Sequence, residues 1–146
     1  MAATEHAVLL VVVDGMGGHA DGARAAEITL RVLLEAFRQT PQPVFDPLGF
    51  LHLCLGKAHE AVVRLGLPLP LDKRPRATCA LCLVQQGSAY FAHVGDSRIY
   101  WLRQGTVLTR TRDHSHVELL LQEGLINARQ AQNHPMRNFV ETCLGD

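Results

Sequence analysis

An apolar run that ends on a carboxylate and then breaks into glycines restricts this chain more than any other feature: Val11-Val12-Val13-Asp14-Gly15-Met16-Gly17-Gly18-His19. The run from Ala7 to Val13 has no polar alternation, which predicts a strand covered on both faces. The glycines after it allow a sharp turn and leave room for a ligand, because no Cβ stands in the way. A carboxylate at a strand end is where a rigid scaffold delivers a reacting group. The Asp14 side chain and the Gly15 carbonyl are adjacent hard oxygen donors, a set that suits Mg²⁺ or Mn²⁺.

The 146 residues suit one domain, residues 1–146, with a core large enough to fold. Apolar residues make up 47% and charged residues 19%, so the chain reads as globular. Its net charge is zero, which removes any electrostatic case for a nucleic-acid or anionic-membrane partner. No apolar run approaches the ~20 residues that span a bilayer. Met1 to His6 carries no basic region ahead of the apolar run, so it does not read as a secretory signal. A cytoplasmic protein is the expectation. Cys79-Ala80-Leu81-Cys82 spells C-x-x-C, but residues three apart on a strand face opposite ways. Cys54, Cys79, Cys82 and Cys143 are therefore read as small hydrophobes rather than zinc or redox groups.

Ala23 to Phe37 predicts a helix with Ala25, Ala26, Leu30, Leu33, Leu34 and Phe37 as its inner stripe and Asp21 as N-cap. Thr40-Pro41-Gln42-Pro43 ends it. A second helix is expected from about Pro47 to Leu65, with Phe50, Leu51, Leu53, Cys54, Ala58, Ala61, Val62 and Leu65 inside. Its His52 and His59 read as a partly exposed polar edge. A proline-rich basic loop, Gly66 to Arg76, leads into strands at Ala77–Val84, Ala89–Val94 and Ile99–Leu102, with a short one at Thr106–Leu108. Short helices are expected at Val117–Glu123, Ala128–Gln132 and about Met136–Leu144. In Asp113-His114-Ser115-His116, a helix cap on Asp113 or Ser115 is favoured over a metal site. Strands clustered by tight turns favour an antiparallel α+β layer arrangement over βαβ units.

Asp14-Gly15-Met16-Gly17-Gly18-His19 followed by a helix resembles the metal-binding motif of bacterial PPM/PP2C-type serine/threonine protein phosphatases. His93-Val94-Gly95-Asp96-Ser97-Arg98 is similar to a second motif of that family, in the family's order and at family-like separation. The resemblance implies a four-layer α-β-β-α sandwich with antiparallel sheets, incomplete at both ends. It implies metal-dependent hydrolysis of phosphoserine or phosphothreonine in proteins by direct attack of water, with two or three Mn²⁺ or Mg²⁺ ions in a complete domain. Asp14 would bridge two ions, the Gly15 carbonyl would complete the second shell, and Asp96 would serve a third, weaker site. Thr78 matches a family threonine near the metal water, although Arg76 and Ala77 depart from the Gly-Thr that usually precedes it. Met16 stands where some eukaryotic members carry a proposed acid, and His19 is expected only to orient the turn. Ser97 and Arg98 are read as structural, with Arg98 pairing Asp96 or a helix end. Asp113 begins a flap-like region, and His134-Pro135-Met136-Arg137-Asn138 is similar to the segment after it.

The implied partners are a phosphorylated protein substrate and a pathway opposing a Ser/Thr kinase. The resemblance also implies an upstream arginine strand and two downstream metal-binding aspartates that this sequence does not contain. An inactive module that binds phosphoproteins through the flap and the basic loop Lys73-Arg74-Pro75-Arg76 is the alternative reading.

Overall fold

The computed structural model describes residues 1–16 and 19–146. The expectations for Gly17, Gly18 and the His19 side chain lie outside what it describes. Strand β1 (Ala2–Ala3) leads into β2 (Ala7–Met16), helix α1 (His19–Gln39) and helix α2 (Pro47–Gly66). A single 3₁₀ turn at Leu71–Lys73 precedes β3 (Arg76–Gln85) and β4 (Ser88–Val94). Then come β5 (Tyr100–Arg103), β6 (Thr106–Arg110), α3 (His116–Gln122) and α4 (Ala128–Gln132). The main sheet has the order β1-β2-β3-β4, and β5 and β6 form a separate pair. Every pairing is antiparallel, as the clustered strands predict.

The core lies between this sheet and the two long helices. Leu9, Leu81, Leu83 and Cys79 from the strands meet Leu33 and Phe37 of α1 and Leu51, Cys54, Ala58 and Val62 of α2. Each fully buried leucine or phenylalanine contributes roughly 1.5–3 kcal/mol. Helix α2 starts where the sequence says it should. Pro47 occupies its first turn, and the Asp46 side chain accepts a hydrogen bond from the Gly49 amide at 3.0 Å. One polar group belongs to the core. The buried Gln85 side chain accepts from the Val44 amide at 2.9 Å and donates to its carbonyl at 2.8 Å. That pair stands in for a strand partner and locks the α1–α2 connection to the end of β3.

Several expectations are corrected. Strand β2 is covered on one face only: Val12 is 64% and Leu10 43% exposed, while Leu9 is fully buried. Both long helices pack on the Leu9 face, and the opposite face, with Leu10, Val12 and Asp14, is left open among the described residues. Trp101 of β5 meets Phe91 of β4 edge-on at 5.9 Å. Helix α1 begins before Asp21, so that residue sits in the first turn and pairs with Arg24 rather than capping. The buried positions of α1 include Ala25, Thr29, Leu33 and Phe37, and Leu30 is exposed. Leu53 of α2 also faces outward. Met136–Leu144 is not a helix. It is a turn followed by two isolated bridges, Ser115 with Val140 and Ala77 with Leu144.

The remaining helices and strands lie within a few residues of their expected bounds. The β3–β4 hairpin turns at Gln86-Gly87, both with positive φ. The cysteines are unpaired thiols. Burial pushes the Cys54 thiol up to about 11 and that of Cys79 to about 12, so both are protonated at neutral pH and poor nucleophiles.

Candidate metal centre at the end of the sheet

Asp14 lies near the end of β2, exposed, in register with Thr78 of β3. Cross-strand partners face the same way, with Cβ atoms about 4.5–5.5 Å apart. Thr78 is fully buried although it shares the open face. Its cover is the turn after β4. Strand β4 leaves β3 at the Cys79–Val94 pair, and the chain folds back through Gly95 at φ +93°. A Cβ on Gly95 would stand 2.5 Å from Thr78 Cγ2. Ser97 then reaches Thr78, Oγ to Oγ1, at 2.5 Å. Asp96, between those two contacts, is exposed. The two sequence motifs, about eighty residues apart, therefore meet across Thr78.

Gly15 is placed by helix α1. A Cβ there would fall 1.9 Å from the Gly22 carbonyl oxygen, and one on Gly22 would meet the Gly15 oxygen at 2.9 Å. The first turn of α1 thus lies against the strand end, backbone to backbone. On the other side of β3, Ala77 exchanges both hydrogen bonds with Leu144, at 3.1 and 2.8 Å. Arg76 pairs with Asp146 at 2.9 Å, so Asp146 is engaged with a cation of the same strand end.

The candidate donors are all oxygens, the exposed Asp14 and Asp96 carboxylates and the Gly15 carbonyl, gathered around the buried Thr78. That chemistry fits a hard divalent cation, which fills the rest of its shell with water. It is a partial set. Among the described residues no three His, Cys, Asp or Glu side chains converge on one point. An open cleft of about 280 Å³ lies elsewhere, lined in part by Asp113, His114 and Glu141.

The segment after β6 is tied to the Asp96 turn. Arg98 does not pair with Asp96 or a helix end. Its guanidinium grips Asp113 with two bonds of 2.7 Å. Such a bidentate pair fixes geometry as well as charge. Ser115 is the cap of α3, accepting from the Glu118 amide at 3.3 Å, so the cap reading of this segment holds through Ser115 and not Asp113. His116 instead contacts Glu141 at 2.8 Å. His59 accepts from the Gly145 amide at 3.4 Å, in keeping with a polar edge on α2.

His114, weighed in the sequence only within a possible metal site, takes a different part. Its ring stacks on that of His93, centroids 4.5 Å apart, and its Nδ1 accepts from the Gly95 amide at 3.3 Å. Burial lowers its pKa below the usual 6.5, the neighbouring His93 adds to this, and Asp113 opposes it. The folded state therefore binds fewer protons here than the unfolded one. The stability this residue contributes is complete above pH 6.5 and is lost as pH falls through the lowered value. Thermal melts at pH 7.5 and 5.5 should show a smaller acid loss in His114→Asn than in the parent; equal losses would contradict this account.

A protein phosphatase 2C family model matches residues 1–122. The chain belongs to the protein phosphatase 2C family. Serine/threonine phosphatase stp of Listeria innocua is 31% identical over 140 residues, covering 94% of this chain and 55% of the relative. The crystal structure of Stp1 from Staphylococcus aureus superposes with a TM-score of 0.85 at 29% identity, over 94% of this chain and 54% of that one. The PstP catalytic domain in complex with two manganese ions gives a TM-score of 0.78 at 25% identity, over 99% and 63%. The fold is thus the expected α+β, antiparallel PP2C arrangement. The chain spans about half the length of the Listeria phosphatase it matches. These relatives are named as phosphatases, and none lends support to the inactive-module alternative.

Proposed function

We propose that this chain carries part of a metal-dependent protein serine/threonine phosphatase centre, built on Asp14, Gly15, Thr78 and Asp96. One observation carries the reading: Asp14 is in register with buried Thr78, and the Asp96 turn is bonded to that same threonine at 2.5 Å. Asp14 and the Gly15 carbonyl would hold a divalent cation, Mn²⁺ or Mg²⁺, and Asp96 would offer a second carboxylate from the turn. When bound, such a cation supplies phosphoryl charge neutralisation and water activation. The Asp14 carboxylate also accepts a hydrogen bond from the attacking water and orients it. Thr78 holds the Asp96 turn beside Asp14 through its hydrogen bond with Ser97, in which either hydroxyl can donate. The Cys54 and Cys79 thiols are buried and protonated and do not serve as nucleophiles; the reading is direct attack of water on phosphorus with no phospho-enzyme.

The substrate class is a phosphoserine or phosphothreonine protein, the phosphatase opposes a Ser/Thr kinase in a signalling pathway, and it works in the cytoplasm. No helix among the described residues is long and apolar enough to cross a membrane. The test is hydrolysis of an aryl phosphate and a phosphothreonine peptide by the 146-residue chain. Turnover should require Mn²⁺ and fall at least about a hundredfold in Asp14→Asn. Folded parent protein without Mn²⁺-dependent turnover, or Asp14→Asn with parental rates, would overturn the reading.

A further inference from the structure

Residues 93, 95, 97 and 98 around Asp96 are each bonded to something outside the turn. His93 Nε2 meets the Arg112 carbonyl at 2.7 Å. Gly95 accepts from the His114 amide at 3.0 Å through its carbonyl and donates its own N–H to His114 Nδ1 at 3.3 Å. Ser97 holds Thr78, and Arg98 holds Asp113. Three consecutive residues, Arg112, Asp113 and His114, thus grip the turn from one side while Thr78 grips it from the other. Asp96 alone is left pointing outward, exposed and with no hydrogen bond or ion pair among the described residues.

Four ties around one exposed carboxylate, with no partner for it among the described residues, fit a group held in advance for a ligand. Charged donors at a metal site are fixed by neighbours that do not touch the metal, and loosening those neighbours weakens metal binding. Of the four, the His114 tie is the least replaceable. It joins both backbone groups of one residue, the Gly95 N–H and C=O, to a single partner. The ring acts as acceptor through Nδ1, and its face is fixed by stacking on His93.

We propose that His114 is a positioning residue: it accepts the Gly95 N–H and so holds the Asp96 carboxylate in place for a divalent cation. This rests on the reading of Asp14 and Asp96 as metal donors. The cation never touches His114, and the chemistry asked of the ring is that of a hydrogen-bond acceptor at a set depth. An asparagine oxygen at the same branch point reproduces that depth. A glutamine oxygen stands one carbon too far.

The test compares His114→Asn, His114→Gln and His114→Leu with the parent and with Asp14→Asn, all first checked for folding by circular dichroism. Two quantities are read: exchange of the Gly95 amide proton by NMR without metal, and Mn²⁺ binding by the loss of the free-ion EPR signal. Leu and Gln should speed Gly95 exchange about tenfold or more and weaken Mn²⁺ binding about tenfold. Asn should keep both within about threefold of the parent, since it preserves the acceptor. If Leu unfolds, the contrast between Asn and Gln decides. Parental behaviour in Gln and Leu, or failure of Asn to rescue, overturns the positioning role alone. Parent protein that binds no Mn²⁺, or binding unchanged in Asp14→Asn, overturns the metal-centre reading and the role built on it.

Discussion

Alanine at Gly95 is expected to cost this protein roughly 2–4 kcal/mol. Two penalties coincide there. The residue sits at φ +93°, where an L side chain is strained by about 1–2 kcal/mol. Its Cβ would also stand 2.5 Å from the side chain of Thr78, which is fully buried and cannot swing aside. Relief requires the turn to lift off β3, and that breaks the Ser97–Thr78 bond and moves Asp96. The expected result is a fall in melting temperature of roughly 5–15 °C for a chain of this size, together with loss of Mn²⁺ binding. A melt within about a degree of the parent would show that the turn is not held against Thr78.

The second large effect is at Gly15. Its Cβ would lie 1.9 Å from the carbonyl oxygen of Gly22, a backbone atom at the start of α1. No rotamer change relieves a collision of backbone with Cβ, so β2 and α1 must separate. Since α1 carries Leu33 and Phe37 into the core, that separation should cost about 3 kcal/mol or more. Gly22→Ala is the control. It meets the Gly15 oxygen at 2.9 Å, a milder approach. It also gains about 1 kcal/mol of helix propensity. Urea denaturation should therefore separate the two variants by at least about 2 kcal/mol. Equal midpoints would mean that α1 does not bear on the strand end.

These two glycines show how differently the site was written into the chain. Asp14 was proposed from an apolar run ending in Asp-Gly, whereas Asp96 was proposed only through the resemblance of the second motif. Why Gly15 must be glycine was not legible. Local sequence suggested room for a ligand, whereas the structure shows a helix backbone occupying that room. The role of Thr78 was visible only by resemblance, and its burial comes from a turn that begins seventeen residues later. His114 was weighed only as one of two histidines in a possible metal site, and its contact with Gly95 across nineteen residues was not legible.

The errors of the sequence reading have the same origin. On α1 the expected stripe holds at Ala25, Leu33 and Phe37, but Leu30, expected inside, is exposed, and Thr29, outside the expected stripe, is buried. Packing of Leu33 and Phe37 in the core and the close approach of Gly22 to Gly15 turn Thr29 inward. The apolar spacing of Met136–Leu144 suits a helix, yet β3 runs three residues beyond the end of β4. Its exposed backbone at Ala77 is completed by Leu144 in an extended conformation. An unpaired strand edge outweighs a weak local preference, because each buried amide left without a partner costs about 1–3 kcal/mol.

The sequence by itself determined the elements and the chemistry: two amphipathic helices, clustered antiparallel strands, and carboxylates placed at their ends. Periodicity, turn residues and motif order are local properties, and a linear reading recovers them. The tertiary structure alone decided which face of β2 is covered, which stripe of α1 is inside, and which residues hold Asp96. Those outcomes depend on contacts between segments far apart in the chain, and their energies exist only once the backbone has brought the segments together.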